Sequence, residues 1–374
     1  MAHTQKKMVP VWDRFIRLFH WGLFGFVAIA AATGFLLSPS WINLHIWAGT
    51  AAGALILARL FWGIWGSKNA RFAGFIKGPR VVAAHIAELR TSKAPRHLGH
   101  NPLGAVMIVA LLSSAVLLLF TGAAGLGGVF KTGPFGFALA YDFGRTALSL
   151  HELLAIALMV LVALHIGGAL FEGHRTKDSL VKAMIKGRKE ARIGDIETND
   201  VMIRPFTVVF LSGGSLALLF FAGVWLSAKP PYGMPRAAPN PVYADECSAC
   251  HIAYAPSLLP AQNWSLLMAG LDEHFGEDAS LDEETAADIT SWLIENAANT
   301  VDSKPAHMFS RINPDNPLAI TETPFWKRTH LAIPDAVFAR PPIYDNGNCV
   351  ACHSDARSGA FYPANISIPK ETSP

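Results

Sequence analysis

Charge is scarce in this chain: Asp, Glu, Lys and Arg make up 16% of its 374 residues, where a soluble domain carries about 25%. Acidic residues are thinnest at the front, where 22 Lys+Arg stand against 10 Asp+Glu up to Ser227. From Ala228 onward the balance reverses, with 9 basic residues against 18 acidic. The net charge of +3 therefore conceals a basic part followed by an acidic one. Cysteine is absent until Cys247, which excludes disulfides and thiolate sites from the first two thirds. The basic residues sit in short stretches between apolar runs, a distribution that argues against nucleic-acid binding.

Long apolar runs take the place of charge: 51% of the residues are hydrophobic, enough for several membrane spans with an appended soluble domain. Met1–Pro10 is a short polar lead, followed by a first span over about 18–37. Its length, its His20 and its lack of a cleavage site mark it as a retained span rather than a signal peptide. A second span covers about 44–64. The polar, basic stretch 66–101 contains VVAAHIAEL, a candidate surface helix. Asn101 and Pro102 open a third span as N-cap and first helical residue, running to about Thr121. A Gly- and Phe-rich loop leads to a fourth span, about 148–171, and a fifth is expected at about 206–226. The N-terminus and the segments after spans two and four hold 19 of the 22 basic residues, with Arg59 inside the second span and only Lys131 and Arg145 in the alternate loops. By the positive-inside tendency the N-terminus is cytoplasmic. Five spans then place everything after Ser227 on the outer side of a bacterial inner membrane.

Within the fourth span, HELLAIALMVLVALH carries a histidine near each end. The fourteen residues from His151 to His165 return the second ring to within roughly 40° of the first, about 21 Å further along the axis. A polar ring in hydrocarbon needs a partner, and two rings on one helix face at opposite depths suit two haems stacked across a bilayer. Helix-to-helix hydrogen bonding is the ordinary alternative for a lone histidine. Depth pairs His20 with His165 and His45 with His151. Two imidazoles close both axial positions of an iron, which favours electron transfer over oxygen chemistry. Gly22, Gly25, Gly49 and Gly53 give room either for a porphyrin or for a neighbouring helix. Arg14 and Arg17 are candidates for haem propionates or simple anchors.

The four cysteines form two C-x-x-C-H patterns, the spacing of c-type haem attachment. Cys247 and Cys250 precede His251, and Cys349 and Cys352 precede His353. Candidates for the remaining axial positions are His274, His307, His330, Met234, Met268 and Met308. NWSLLMAGLDEHF reads as a helix ending at His274, with Leu267 and Leu271 placed to pack on a porphyrin. Ser280 and Glu283 read as a capping box for the next helix.

Residues 8 to about 190 resemble the bacterial cytochrome b561 family, related to the b-type cytochrome subunits of nickel–iron hydrogenases. The likeness rests on RLFHW around His20, LHIWAG around His45, GHNPLGA at 99–105, and the LHE…LH pair at His151 and His165. It implies a four-helix core, two non-covalent b haems held by those four histidines, and electron exchange with quinone. His100, inside GHNP, is either a quinone-site residue or a solvated loop histidine. His85, His97 and His174 read as exposed juxtamembrane residues. Residues of about 243–365 resemble the bacterial dihaem cytochrome c family, through ECSACHIAY, LLPAQNW, LDEHFGEDASL, ITETPFWKRTH and CVACH. That likeness implies two covalent c haems, both bis-histidine, with His274 and His330 as distal ligands. Sequence proximity assigns His274 to the first motif and His330 to the second, leaving His307 at the surface.

The fold expected is all-α: a transmembrane four-helix haem-binding bundle over 1–190, a fifth span and Pro-rich linker over 191–242, and a small, mainly α dihaem domain over 243–374. The function expected is electron transfer between quinone or quinol and a periplasmic acceptor. That acceptor is a basic c-type cytochrome or an oxygen-binding haem protein, docking on the acidic domain. No proton acceptor is assigned; Glu152 beside His151 is a candidate, or caps the helix there. Two alternatives are an electron-transfer anchor for a hydrogenase or dehydrogenase, and oxidation of superoxide with reduction of quinone. A histidine proton relay is a third class, and it requires these imidazoles to be free of iron.

Overall fold

The structure, a computed structural model, describes residues 7–193, 195 and 231–370, with a few isolated positions between 213 and 225. The fifth span expected at about 206–226 falls for the most part outside the described residues. The chain divides into two compact units, Met1–Ser38 with Ile42–Gly122 and Leu148–Ala228, and Pro39–Trp41 with Ala123–Ala147 and Lys229–Pro374.

Among the described residues, the first unit is built on four helices long and apolar enough to cross a membrane: α1 (Arg14–Phe35), α2 (Ile42–Trp65), α5 (Pro102–Gly128) and α6 (Tyr141–Thr176). Between them lie α3 (Phe72–Phe75) and α4 (Pro79–Arg90), and α7 (Leu180–Lys186) follows. The 22 residues of α1 span about 33 Å, matching a hydrocarbon core of about 30 Å. Asp13 starts α1 by accepting the Ile16 N–H at 2.8 Å. Its other carboxylate oxygen accepts from Trp62 Nε1 at 2.9 Å and from the Ser67 hydroxyl, so one residue fastens α1 to the end of α2. Asn101 caps α5 as expected, its side chain accepting the Gly104 N–H at 2.7 Å. A two-stranded antiparallel ribbon joins β1 (Met8–Pro10) to β2 (Arg188–Glu190). Beside it Arg96 donates to Asp178, Asp195 and the Glu190 carbonyl, gathering the segments that leave α4, α6 and α7.

Two boundaries differ from expectation. α5 runs on to Gly128 and α6 begins at Tyr141, so both ends of the Gly-rich stretch are helical and the connection shrinks to 129–140. The glycines serve close approach: a Cβ on Gly128 would lie 2.6 Å from Gly144 Cα, and one on Gly144 2.5 Å from Gly128 Cα. Glu152 consequently lies in the fourth turn of α6, exposed, and does not cap it.

The second unit packs short helices around Leu258, Leu259, Trp264, Ile289 and Leu293. Ile289 and Leu293, one turn apart on Glu283–Glu295, are fully buried. Asp282 caps this helix, accepting the Thr285 N–H at 3.0 Å, in place of the Ser280 box expected. In the same unit Lys131 Nζ lies 2.7 Å from Asp302, which also accepts from the Tyr141 N–H and from His307 Nε2 at 2.9 Å. The His307 ring stacks on Tyr141, 4.3 Å between centroids. Partial burial opposes the Asp302 charge, but the bonds from Lys131, His307 and the Tyr141 N–H outweigh it and hold the carboxyl below its usual range.

Asp13→Ala removes an N-cap worth about 1 kcal/mol and strands the Trp62 N–H, so the thermal midpoint in detergent falls, while Asp13→Asn falls less. Equal midpoints for all three proteins would refute the fastening role. Because Asp302 is depressed when folded, its contribution is present above the ordinary carboxylate range and lost as pH falls through the lowered value. Asp302→Asn is accordingly less stable than the native chain at pH 7, and the difference closes in acid below that range.

Candidate functional site

Four pairs of imidazoles face one another at nearly the same separation. His20, on the second turn of α1, lies opposite His165 of α6 with ring centroids 6.3 Å apart. His45, on the first turn of α2, lies opposite His151 of α6 at 6.1 Å. In the second unit His251, just after the helix Pro241–Cys247, lies 6.1 Å from His274, and His330, ending the helix Pro324–His330, lies 6.1 Å from His353. Two metal–nitrogen bonds of about 2 Å each, plus the half-width of each ring, account for such a separation. Directly hydrogen-bonded imidazoles, with about 2.9 Å between nitrogens, would sit closer.

The ring nitrogens on the far sides bear on which atom faces the partner. His45 Nδ1 lies 3.0 Å from both the Ala30 carbonyl and the Thr33 hydroxyl. His151 Nδ1 lies 3.0 Å from the Leu118 carbonyl and 3.1 Å from the Thr121 hydroxyl. His251 Nδ1 donates to the Ile252 carbonyl at 2.8 Å, and His330 Nδ1 to the Trp326 carbonyl at 2.9 Å. An Nδ1–H engaged in this way leaves Nε2 unprotonated, the form a metal takes. Burial, and then the facing His251, lower the pKa of His274; burial and then His330 lower that of His353. Both effects favour the neutral ligand form.

Among the described residues no cluster of three or more His, Cys, Asp or Glu side chains is placed to hold a metal ion. Two axial imidazoles without further side-chain donors fit a metal whose equatorial ligands come from a macrocycle, as in haem. Around the paired rings, Gly25 and Gly49 have nothing within 4 Å of where a Cβ would stand. A Cβ on Gly22 would meet Leu55 at 3.1 Å and one on Gly53 would meet Leu119 at 3.2 Å, so these two glycines serve helix packing. Cys247 and Cys250 lie ahead of His251, Cys349 and Cys352 ahead of His353, none of the four in a disulfide. Tyr254 ties the two motif segments together, its hydroxyl donating to the Gly347 carbonyl at 2.9 Å.

Other candidates separate from these pairs. Met268 is buried in the core around Trp264, and Met234 is buried as well. Leu267 and Leu271 pack against the same core. His307 takes part in the Asp302 contact. Arg14 and Arg17 line a pocket of about 300 Å³ with Leu18, Trp21 and Ile185, and Arg17 Nη1 donates to the Ile185 carbonyl at 2.7 Å.

Three loop assignments are corrected: His97 is half-buried with Nε2 enclosed, and two others differ further. His85 is only 2% exposed, on α4, with its ring 5.6 Å from that of His97; amphipathic α4 turns this histidine inward. His100 is not a solvated loop residue: its ring is held between Trp12 and Phe75, at 4.6 and 4.5 Å, and Nδ1 is buried without a partner. Burial first, then Arg59 and Lys189, push its pKa down to about 3. His174 is exposed, as expected. The residues that sequence reasoning passed over are Thr33, Gly34, Thr121 and Gly122. The repeated Thr-Gly dipeptide in two apolar spans was the available signal.

The family model for prokaryotic cytochrome b561 matches residues 11–187, and that for dihaem cytochrome c matches residues 243–361. A probable Ni/Fe-hydrogenase B-type cytochrome subunit from Rhodobacter capsulatus is 26% identical over 225 residues, covering 52% of this chain and 86% of its own length. Among solved structures, a dihaem cytochrome c from Rhodobacter sphaeroides is 40% identical, covering 33% of this chain and 98% of its own, with a TM-score of 0.30. A dihaem cytochrome c from Shewanella baltica is 34% identical, covering 35% and 95%, with a TM-score of 0.29.

In the haem-loaded protein, His45→Ala should remove one b-type haem and His20→Ala the other, each leaving the c-type content intact. Haem counts by pyridine haemochrome would contradict the pairing if either substitution removed both b haems or neither.

Proposed function

From a chain that belongs over residues 11–187 to the prokaryotic cytochrome b561 family and over 243–361 to the dihaem cytochrome c family, we infer a membrane electron carrier between the quinone pool and a periplasmic redox protein. Membrane electron transfer through haem follows from the two families; the terminal partners and the residue roles are the proposal. His20 with His165, and His45 with His151, would hold two haems b. Cys247 and Cys250, and Cys349 and Cys352, would carry two haems c, with His251, His274, His330 and His353 as axial ligands. Each haem supplies a one-electron Fe(III)/Fe(II) couple, and closing both axial positions with imidazole keeps that couple from binding oxygen. The observation that carries this reading is the recurrence of one ring separation, 6.1–6.3 Å, in four histidine pairs.

The domain limits proposed are a four-span membrane domain over 1–190, a fifth span and linker over 191–242, and a dihaem domain over 243–374. The distribution of basic residues supports a cytoplasmic N-terminus and a periplasmic dihaem domain at a bacterial inner membrane. The acidic balance after Ser227 favours a basic partner such as a c-type cytochrome or an oxygen-binding haem protein. Its association should weaken as salt rises. No residue is assigned to the protons of quinol. The hydrogenase subunit among the relatives favours a second reading, in which this chain anchors and wires a hydrogenase or another dehydrogenase.

Rapid mixing of the haem-loaded protein with a quinol analogue tests the main reading, with b and c bands followed separately. Reduction of b before c, with c reduction lost in His45→Ala, is the expected result. If quinol reduces neither while a co-purifying dehydrogenase reduces both, the second reading replaces the first.

A further inference from the structure

The His45 and His151 rings are seated by the same device on two different helices. On α1 it is Ala30 with Thr33 and Gly34; on α5 it is Leu118 with Thr121 and Gly122. Each threonine hydroxyl donates into its own helix, Thr33 to the Ile29 carbonyl at 2.8 Å and Thr121 to the Leu117 carbonyl at 2.9 Å. With its proton committed, the hydroxyl can only accept from the histidine. The carbonyl beside it, of Ala30 or Leu118, is an acceptor too. Both acceptors therefore demand a proton on Nδ1. The following glycine makes room for the ring: a Cβ on Gly34 would stand 3.4 Å from His45 Cε1, and one on Gly122 would stand 3.1 Å from His151 Cε1.

In the other pair His20 lacks this arrangement, its Nδ1 being buried without a hydrogen-bond partner among the described residues.

We propose that Thr33 and Thr121 are positioning residues that make His45 and His151 the stronger donor pair, giving the haem they share a lower reduction potential than the haem between His20 and His165. This rests on the ligand assignment made above. An Nδ1–H pulled toward two oxygens leaves more electron density on Nε2, and a more basic ligand stabilises Fe(III) over Fe(II). The couple is a one-electron reduction of iron in which the Nδ1 proton stays on the ring. Electrons shared between the two b haems settle on the His20/His165 side.

The test is a spectroelectrochemical titration of the full-length holoprotein, with both b haems resolved by their bands and low-temperature EPR signals. His45→Ala first identifies which b centre belongs to the His45/His151 pair. That centre should be the lower of the two, and Thr33→Val or Thr121→Val should raise it. Losing one hydrogen bond shifts the reduction equilibrium on the order of threefold, about 30 mV at 59 mV per tenfold. The other b centre and both c haems stay in place, and Thr33→Ser, which keeps the hydroxyl, restores the native value. Should either valine variant lose haem, Thr33→Ala and Thr121→Ala read the same shift with less bulk. Native potentials in haem-replete Thr33 and Thr121 variants overturn the proposal while leaving ligation intact. The proposal is equally overturned if the His45/His151 centre is the higher one. Retention of both b haems in His45→Ala overturns the ligand assignment itself and the proposal with it.

Discussion

An imidazole on an apolar helix has nowhere to put its two nitrogens, and that constraint organises the four-helix unit. Hydrocarbon offers no hydrogen bonds, so an unsatisfied ring costs several kcal/mol. The chain meets the demand on one edge of each ring of the His45/His151 pair with a threonine and a carbonyl, and turns the other edge toward an imidazole 6.1 Å away, a separation that a shared metal accounts for. Placing both His151 and His165 on α6 makes one helix the common wall of both pairs. The opposing walls, α1 and α2, are tied together through Asp13, so the spacing of the rings depends on contacts made at the helix ends.

The ion pairs and the ribbon lie at those ends and perform a different task. Arg96 binds two carboxylates and a carbonyl, and the β1–β2 ribbon pairs the start of the chain with the segment after α7. Such contacts are strong where water is partly excluded. The second unit works on another scale: short helices around a small apolar core, with each histidine placed just after or at the end of a helical turn. There the covalent thioethers expected from the two motifs would supply what so small a core lacks.

Much of this was legible in the sequence because it is local or periodic. Span positions follow from apolar run length, the return of His165 beneath His151 from the helical repeat, and the attachment motifs from three-residue spacing. Asn101 with Pro102 marked a helix start that the structure retains. Elsewhere local rules competed and one outcome could not be read. Ser280 and Asp282 are both good caps, and Asp282 won because its side chain reaches the Thr285 N–H once Ile289 and Leu293 turn inward. The Gly-rich stretch looked like a loop because glycine disfavours helices. Here it permits two helix ends to touch at Gly128 and Gly144, a reason that only packing supplies.

The sequence by itself determined the number and kind of titratable rings, their depth along each apolar run and the chemistry they suit, because these depend on spacing along one chain. Tertiary structure decided what each ring leans against. Thr33 and His45 lie on different helices, as do Thr121 and His151, and nothing in either local pattern says that they meet. Burial of His85 and the seating of His100 between Trp12 and Phe75 are likewise products of packing between distant segments. Hydrogen bonds of that kind are short-ranged, so they exist only once several helices have fixed one another's positions.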